Sequence, residues 1–181
     1  NHENCLKYII NIYCKNLYLK ILNYSNIDSE NFFISKEEKE LLFISDALPN
    51  LNYENMPLSF ANHMKRCTEN NIISPFSVGQ MLSLKNAKEG NYNLYNFFYT
   101  KISAPLTMDN LYTKKEGHYL NAFHTTGCDS IEKTYLKLIE YANKNELILD
   151  DYFFEDTILD ELSVSGYENF VIKISILIKD L

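Results

Sequence analysis

The sequence predicts an α+β fold: two successive β-α-β-β units sharing an antiparallel sheet, a cleft between the halves, and a helix in front. Three observations predict it. The order strand, helix, strand, strand occurs twice along the chain. The helix of the second unit has a clear apolar face, Ile131, Tyr135, Leu138, Ile139 and Ala142. The last apolar run alternates as a half-buried strand should, with Phe170, Ile172, Ile174 and Ile176 in step.

The elements follow in chain order. Residues 3–23 are rich in Ile, Leu and Tyr at helical spacing, and a helix is predicted there. It reads as the end of a helix connecting to a further domain, or as an ordinary core helix. Residues 24–31 are polar and read as a loop. Residues 40–45 form a strand that Pro49 and Asn50 break. Pro57 stands where a helix can begin, and 58–70 carries Phe60, Ala61, Met64 and Cys67 at helical spacing. Residues 76–84 are the next strand and 88–91 a turn. Residues 92–102 read as an aromatic strand with Tyr95, Phe97 and Tyr99 on one face.

The second unit opens with a strand over 117–124 and a turn at Gly127. Asp129 and Glu132 supply a capping signal for a helix over 130–144. Strands over 147–159 and 170–178 flank a turn at Ser165-Gly166. The predicted organisation is therefore a helix and linker over 1–35 and one compact unit over 36–181, with halves 36–103 and 108–181. Residues 70–82 and 145–159 look like weak copies of each other, and Gly79 falls near the place of Glu155.

Composition narrows the function. A hydrophobic content of 46% can build a core, and the aromatic residues are skewed, with Tyr 14, Phe 11 and Trp 0. Tyrosine supplies contact area and a hydroxyl together, which suits an amphipathic ligand. The formal net charge of -7, with dispersed lysines, argues against binding of a phosphate backbone by this segment. Cys5, Cys14, Cys67 and Cys128 are widely spaced and read as reduced thiols of a cytoplasmic protein. His118, His124 and Cys128 lack zinc-like pairing, so no metal or other cofactor is predicted. No apolar run reaches the roughly 18 residues that span a bilayer.

The residue that carries most chemistry is Glu155, within Tyr152-Phe153-Phe154-Glu155-Asp156-Thr157-Ile158-Leu159. Alternation puts Phe153, Glu155 and Thr157 on one face and Tyr152, Phe154, Asp156 and Ile158 on the other. A carboxylate losing water there must be neutralised or meet a cation. A solvated strand edge is the other reading of the same pattern.

The run Tyr119-Leu120-Asn121-Ala122-Phe123-His124-Thr125-Thr126-Gly127, then Tyr135-Leu136-x-Leu138-Ile139, Phe154-Glu155-Asp156 and the strand from Phe170, resembles the GyrI-like effector-binding domain. That domain is the ligand-sensing part of MerR-type multidrug-sensing transcriptional regulators. The resemblance covers the second half by motif and the first half by architecture alone. Here His124-x-x-Gly127 is one residue longer than the usual turn, and His124 reads as structural. The resemblance implies duplicated SHS2-type modules around a drug-sized pocket. A glutamate on the penultimate strand, here Glu155, would meet lipophilic cations. Parity suggests Tyr95, Phe97, Tyr99, Tyr119, Phe153 and Phe170 as surrounding rings.

The implied function is small-molecule sensing without catalysis. The implied partner is a lipophilic, cationic effector; DNA would be reached only through a domain absent from this chain, and a homodimer is compatible. Two other classes fit the same residues. One is a stand-alone inhibitor that binds a protein through the acidic surface of Asp150, Asp151, Asp156, Asp160 and Glu161. The other is a small-molecule hydrolase using Glu155 with Tyr119 or Tyr95.

Overall fold

The structure is a computed structural model. It describes residues 32–48, 55–72, 78–102, 109–127, 130–160 and 163–179. The helix expected over 3–23 and the loop over 24–31 lie outside the described residues, as do Cys5, Cys14, Cys128 and Asp129.

The strands are β1 (Phe32–Glu37), β2 (Glu40–Asp46), β3 (Gly79–Ser83), β4 (Phe97–Ile102), β5 (Leu111–Lys114), β6 (Gly117–His124), β7 (Ile148–Leu159) and β8 (Val171–Lys179). The helices are α1 (Met56–Glu69), α2 (Leu84–Lys88) and α3 (Ile131–Lys144). Among the described residues eight strands form one antiparallel sheet in the order β1-β6-β8-β7-β3-β4-β2-β5. The two expected units are β2-α1-β3-β4 and β6-α3-β7-β8. They join through β3 and β7, where Gln80 pairs with Glu155, Met81 with Phe154 and Leu82 with Phe153. The two strands read as weak copies in sequence are thus the central pair of the sheet.

Two strands lie outside the pattern the sequence predicts. β1 pairs with β6 at one edge and begins before the expected boundary at residue 36, while β5 pairs with β2 at the other edge. Flat strands at about 4.8 Å spacing would leave these edges roughly 34 Å apart. Instead Lys114 of β5 lies 2.6 Å from Glu37 of β1. The sheet therefore curls until its two edges meet, the direction in which twisted strands bend.

The curl creates two buried layers. Between the sheet and α2 and α3 lie Leu82, Leu120, Ala122, Tyr135, Leu138, Phe153, Ile174 and Ile176. Inside the curl lie Leu42, Met81, Tyr99, Tyr119 and Phe154. Neighbouring residues such as Phe153 and Phe154 fall in different layers, which is period-two alternation in a sheet covered on both sides.

Two elements depart from the expected pattern. α1 starts as predicted, with Pro57 in its first turn, but buries Ser59, His63 and Cys67. Phe60 and Met64 are 44% and 43% exposed. The reason is the polar strip beneath the helix. Ser45 Oγ lies 2.6 Å from His63 Nδ1, and Thr100 Oγ1 lies 2.9 Å from Nε2. Burying His63 satisfies these hydroxyls, which an apolar face could not do. Burial also holds the imidazole down, to a pKa of about 4.

The expected strand over 92–102 shortens to β4. Asn96 still bonds Met81 and Ala47 through its backbone, but the residues before it leave the ladder, and asparagine side chains bond backbone groups at this end of the strand. Asn96 Oδ1 accepts from the Ser83 N–H at 2.8 Å, and Asn86 Nδ2 donates to the Leu94 carbonyl at 2.7 Å.

Candidate functional site

Glu155 stands on β7 at the middle of the sheet, between Gln80 of β3 and Ile174 of β8. It is 2% exposed. Its side chain points toward the helix layer, where the Tyr135 hydroxyl of α3 and the Tyr95 hydroxyl both donate to Oε1, the latter at 2.8 Å. Tyr135 is held by ring contacts, edge-on to Phe153 at 5.0 Å and stacked on Tyr92 at 5.8 Å. Two neutral hydroxyls do not replace the water that burial removes. Burial pushes the Glu155 carboxyl up to a pKa of about 7, against the opposing pull of Tyr135 and Tyr95.

Asp156 faces the inside of the curl and is placed differently. Burial pushes its pKa up, but Lys101 and Lys114 outweigh burial and hold it below the usual carboxylate range. Lys101 Nζ lies 3.1 Å from Asp156 and 3.2 Å from Glu40. Lys114 Nζ meets Glu37 at 2.6 Å and Glu40 at 3.3 Å, over the rings of Tyr119 and Phe154 at 4.7 and 5.1 Å. Lys173 also pairs with Glu37. Three lysines and three carboxylates thus neutralise one another beneath the aromatic layer, and Lys114 is only 2% exposed.

Tyr99 links the two carboxylate environments. Its ring lies over Gly79, its paired residue on β3, in the space a Cβ would occupy. The hydroxyl therefore reaches β7, 2.7 Å from Asp156 Oδ1 and 3.0 Å from the Glu155 carbonyl.

The residues singled out in the sequence divide between the two faces. Tyr95 and Phe153 share the helix side with Glu155. Phe97, Tyr99 and Tyr119 pack inside the curl, on the reverse of the sheet. The expectation that Tyr95, Phe97 and Tyr99 share a face is corrected: Tyr95 precedes β4, and the irregular segment turns it to the other side. Phe170 stands just before β8, where its carbonyl accepts from the Gly127 N–H at 3.4 Å. By spacing alone Tyr135 counts as an apolar position of the helix. Its signal was the Tyr-x-x-Leu spacing, which does not reveal a hydroxyl aimed at a carboxyl. His124 is structural in its contacts, with Thr134 Oγ1 2.9 Å from Nδ1 and Thr126 Oγ1 3.1 Å from Nε2.

Among the described residues no group of three His, Cys, Asp or Glu side chains could hold a metal ion, and no helix is long and apolar enough to cross a membrane. A surface hollow of about 350 Å³ lies between β2 and α1, lined by Ser45, Asp46, Asn62, Lys65, Arg66 and Glu69. No ring contributes to that lining, and it lies away from Glu155.

No protein-family model matches the chain. Over 106 residues the chain is 26% identical to the multidrug-efflux transporter 2 regulator of Bacillus subtilis (strain 168). That match covers 59% of this chain and 38% of the regulator, so the chain spans well under half of the relative's length. Among solved structures, the C-terminal domain of EcmrR superposes with a TM-score of 0.61 at 11% identity, over 83% of this chain and 98% of that one. EcmrR in its complex with DNA superposes with a TM-score of 0.65 at 12% identity, over 99% of this chain and 70% of that one. The curled antiparallel sheet built from two β-α-β-β units is thus the GyrI-like fold of the EcmrR C-terminal domain, and part of the chain is similar in sequence to a multidrug-efflux regulator.

Proposed function

We propose that the chain is the small-molecule-sensing domain of a cytoplasmic transcriptional regulator, and that it binds lipophilic, cationic aromatic compounds with Glu155 as the countercharge. The observation that carries this reading is the contrast on β7: Asp156 has lysine partners, whereas Glu155 is buried with, among the described residues, hydroxyl donors only. A buried carboxyl of that kind gains most from a guest that brings a positive charge into a place without water.

Tyr95 is the ring suited to yield to a guest. It is half-buried, stands on the irregular segment before β4, and donates to the same oxygen as the fixed Tyr135. Tyr92, Tyr95, Tyr135 and Phe153 then offer ring faces and edges. Each well-placed cation–π contact contributes about 0.5–2 kcal/mol. DNA contact belongs to another part of the regulator, since this domain is acidic.

The test compares methyltriphenylphosphonium with the neutral triphenylphosphine oxide by calorimetry, on the wild type and on Glu155→Gln. The reading expects a selective loss of the phosphonium in the variant. Equal losses for both compounds, or no phosphonium binding by the wild type, would count against it. One observation also suits a hydrolase, the Tyr135 hydroxyl against a carboxyl of raised pKa. Turnover of an electrophilic ester that disappears in Glu155→Gln would favour that second reading.

A further inference from the structure

We infer that the interior of the curled sheet contains a site for one water-sized, neutral hydrogen-bond donor, held between Asn121 Oδ1 and Ser175 Oγ. The two residues are directly paired on β6 and β8, and Ser175 is in turn paired with Phe154 of β7. Both are 0% exposed. They alternate with Leu120, Ala122, Ile174 and Ile176 of the helix layer, so their side chains enter the curl beside Tyr119 and Phe154.

The orientation of Asn121 is fixed by its amide. Nδ2 donates to the Tyr119 carbonyl at 2.7 Å, to Ser35 Oγ at 3.0 Å and to the Phe33 carbonyl at 3.4 Å. These acceptors leave no reason to exchange nitrogen and oxygen. Asn121 Oδ1 therefore points away from them. Among the described residues neither Oδ1 nor Ser175 Oγ has a hydrogen-bond partner. Two unpartnered polar atoms on paired buried residues are unusual, and each alone costs stability. A single guest relieves both.

The atoms select the guest. Asn121 Oδ1 only accepts, so the guest must donate an O–H or N–H, which excludes an anion. Ser175 can donate or accept in return. The nearby charges already match, Lys101, Lys114 and Lys173 against Glu37, Glu40 and Asp156. No uncompensated charge calls for a cation, and the guest that fits is water.

The test joins a melting experiment to a high-resolution crystal structure of the wild type. A guest that loses a partner makes Ser175→Ala melt about 2–4 °C lower. The crystal structure then shows one peak within hydrogen-bond distance of both Asn121 Oδ1 and Ser175 Oγ. An unchanged or raised melting temperature in Ser175→Ala, or no density between the two atoms, overturns the site. A wild type that melts higher in ammonium chloride than in sodium chloride of equal ionic strength, with Ser175→Ala indifferent, overturns the assignment to a neutral guest.

Discussion

Glu155 and Asp156 are neighbours on β7 that point to opposite faces of the sheet, one to tyrosine hydroxyls and one to lysines. Adjacent carboxyls thereby acquire opposite shifts, Glu155 upward and Asp156 downward. The proposed sensing rests on this asymmetry, and its consequences can be measured separately.

The Glu155 carboxyl is raised from 4.5 to about 7 on folding. The folded state thus holds this proton more tightly than the unfolded chain. Its contribution is complete below about pH 4.5 and is lost as pH rises toward 7. A shift of that size corresponds to about 3 kcal/mol. Urea unfolding at pH 5 and pH 8 should show Glu155→Gln gaining on the wild type at the higher pH. A constant difference would mean that Glu155 titrates normally.

His63 works in the opposite direction over an overlapping window. Its imidazole is lowered from 6.5 to about 4, so the folded state favours the neutral ring. That contribution is present above about pH 6.5 and is lost as pH falls toward 4. Wild-type stability should therefore change less between pH 4.5 and 6.5 than either group alone dictates. His63→Asn should steepen the gain of stability on acidification across that window.

Tyr135→Phe deletes one of the two hydroxyls on Oε1. That hydroxyl lowers the carboxyl pKa, so the variant should titrate higher than the wild type. The loss of a buried hydrogen bond to a charged group should cost about 1.5–3 kcal/mol where Glu155 is ionised. Carbon-13 NMR of the Glu155 carboxyl reads the shift directly; a lower titration midpoint in Tyr135→Phe would refute the assigned role.

Lys114→Met removes the cation that joins β5 to β1 and leaves Glu37 and Glu40 with one partner fewer. Breaking a buried pair from one side costs about 3–5 kcal/mol. Denaturation should show a loss near the lower end, since the partner carboxylates keep some solvent contact. Hydrogen exchange should rise first in β1 and β5, and uniform loosening of all strands would argue against an edge clasp.

Gly79→Ala places a methyl where the Tyr99 ring lies. The ring must shift, and its hydroxyl loses Asp156 and the Glu155 carbonyl. Overpacking of this kind costs about 1–3 kcal/mol. Adding Tyr99→Ala to Gly79→Ala should remove most of that overpacking penalty, so the effects should be non-additive in a double-mutant cycle.

The sequence alone determined the order of the two β-α-β-β units. Alternation and helical spacing are local, and the runs over 117–124 and 130–144 appear as β6 and α3 nearly to the residue. It also determined that Glu155 shares a face with Phe153, because parity within one strand needs no partner. Three things waited for the tertiary structure. The outward turn of Phe60 and Met64 depends on Ser45 and Thr100, hydroxyls on two other strands. The separation of Tyr95 from Phe97 and Tyr99 depends on the chain leaving the ladder before Asn96. The donation from Tyr135 to Glu155 depends on α3 packing over β6, from where the tyrosine side chain reaches β7, 20 residues away in the chain. Periodicity records which side of its own element a residue occupies, whereas the partner it meets there is set by how the sheet curls and where the helices come to rest.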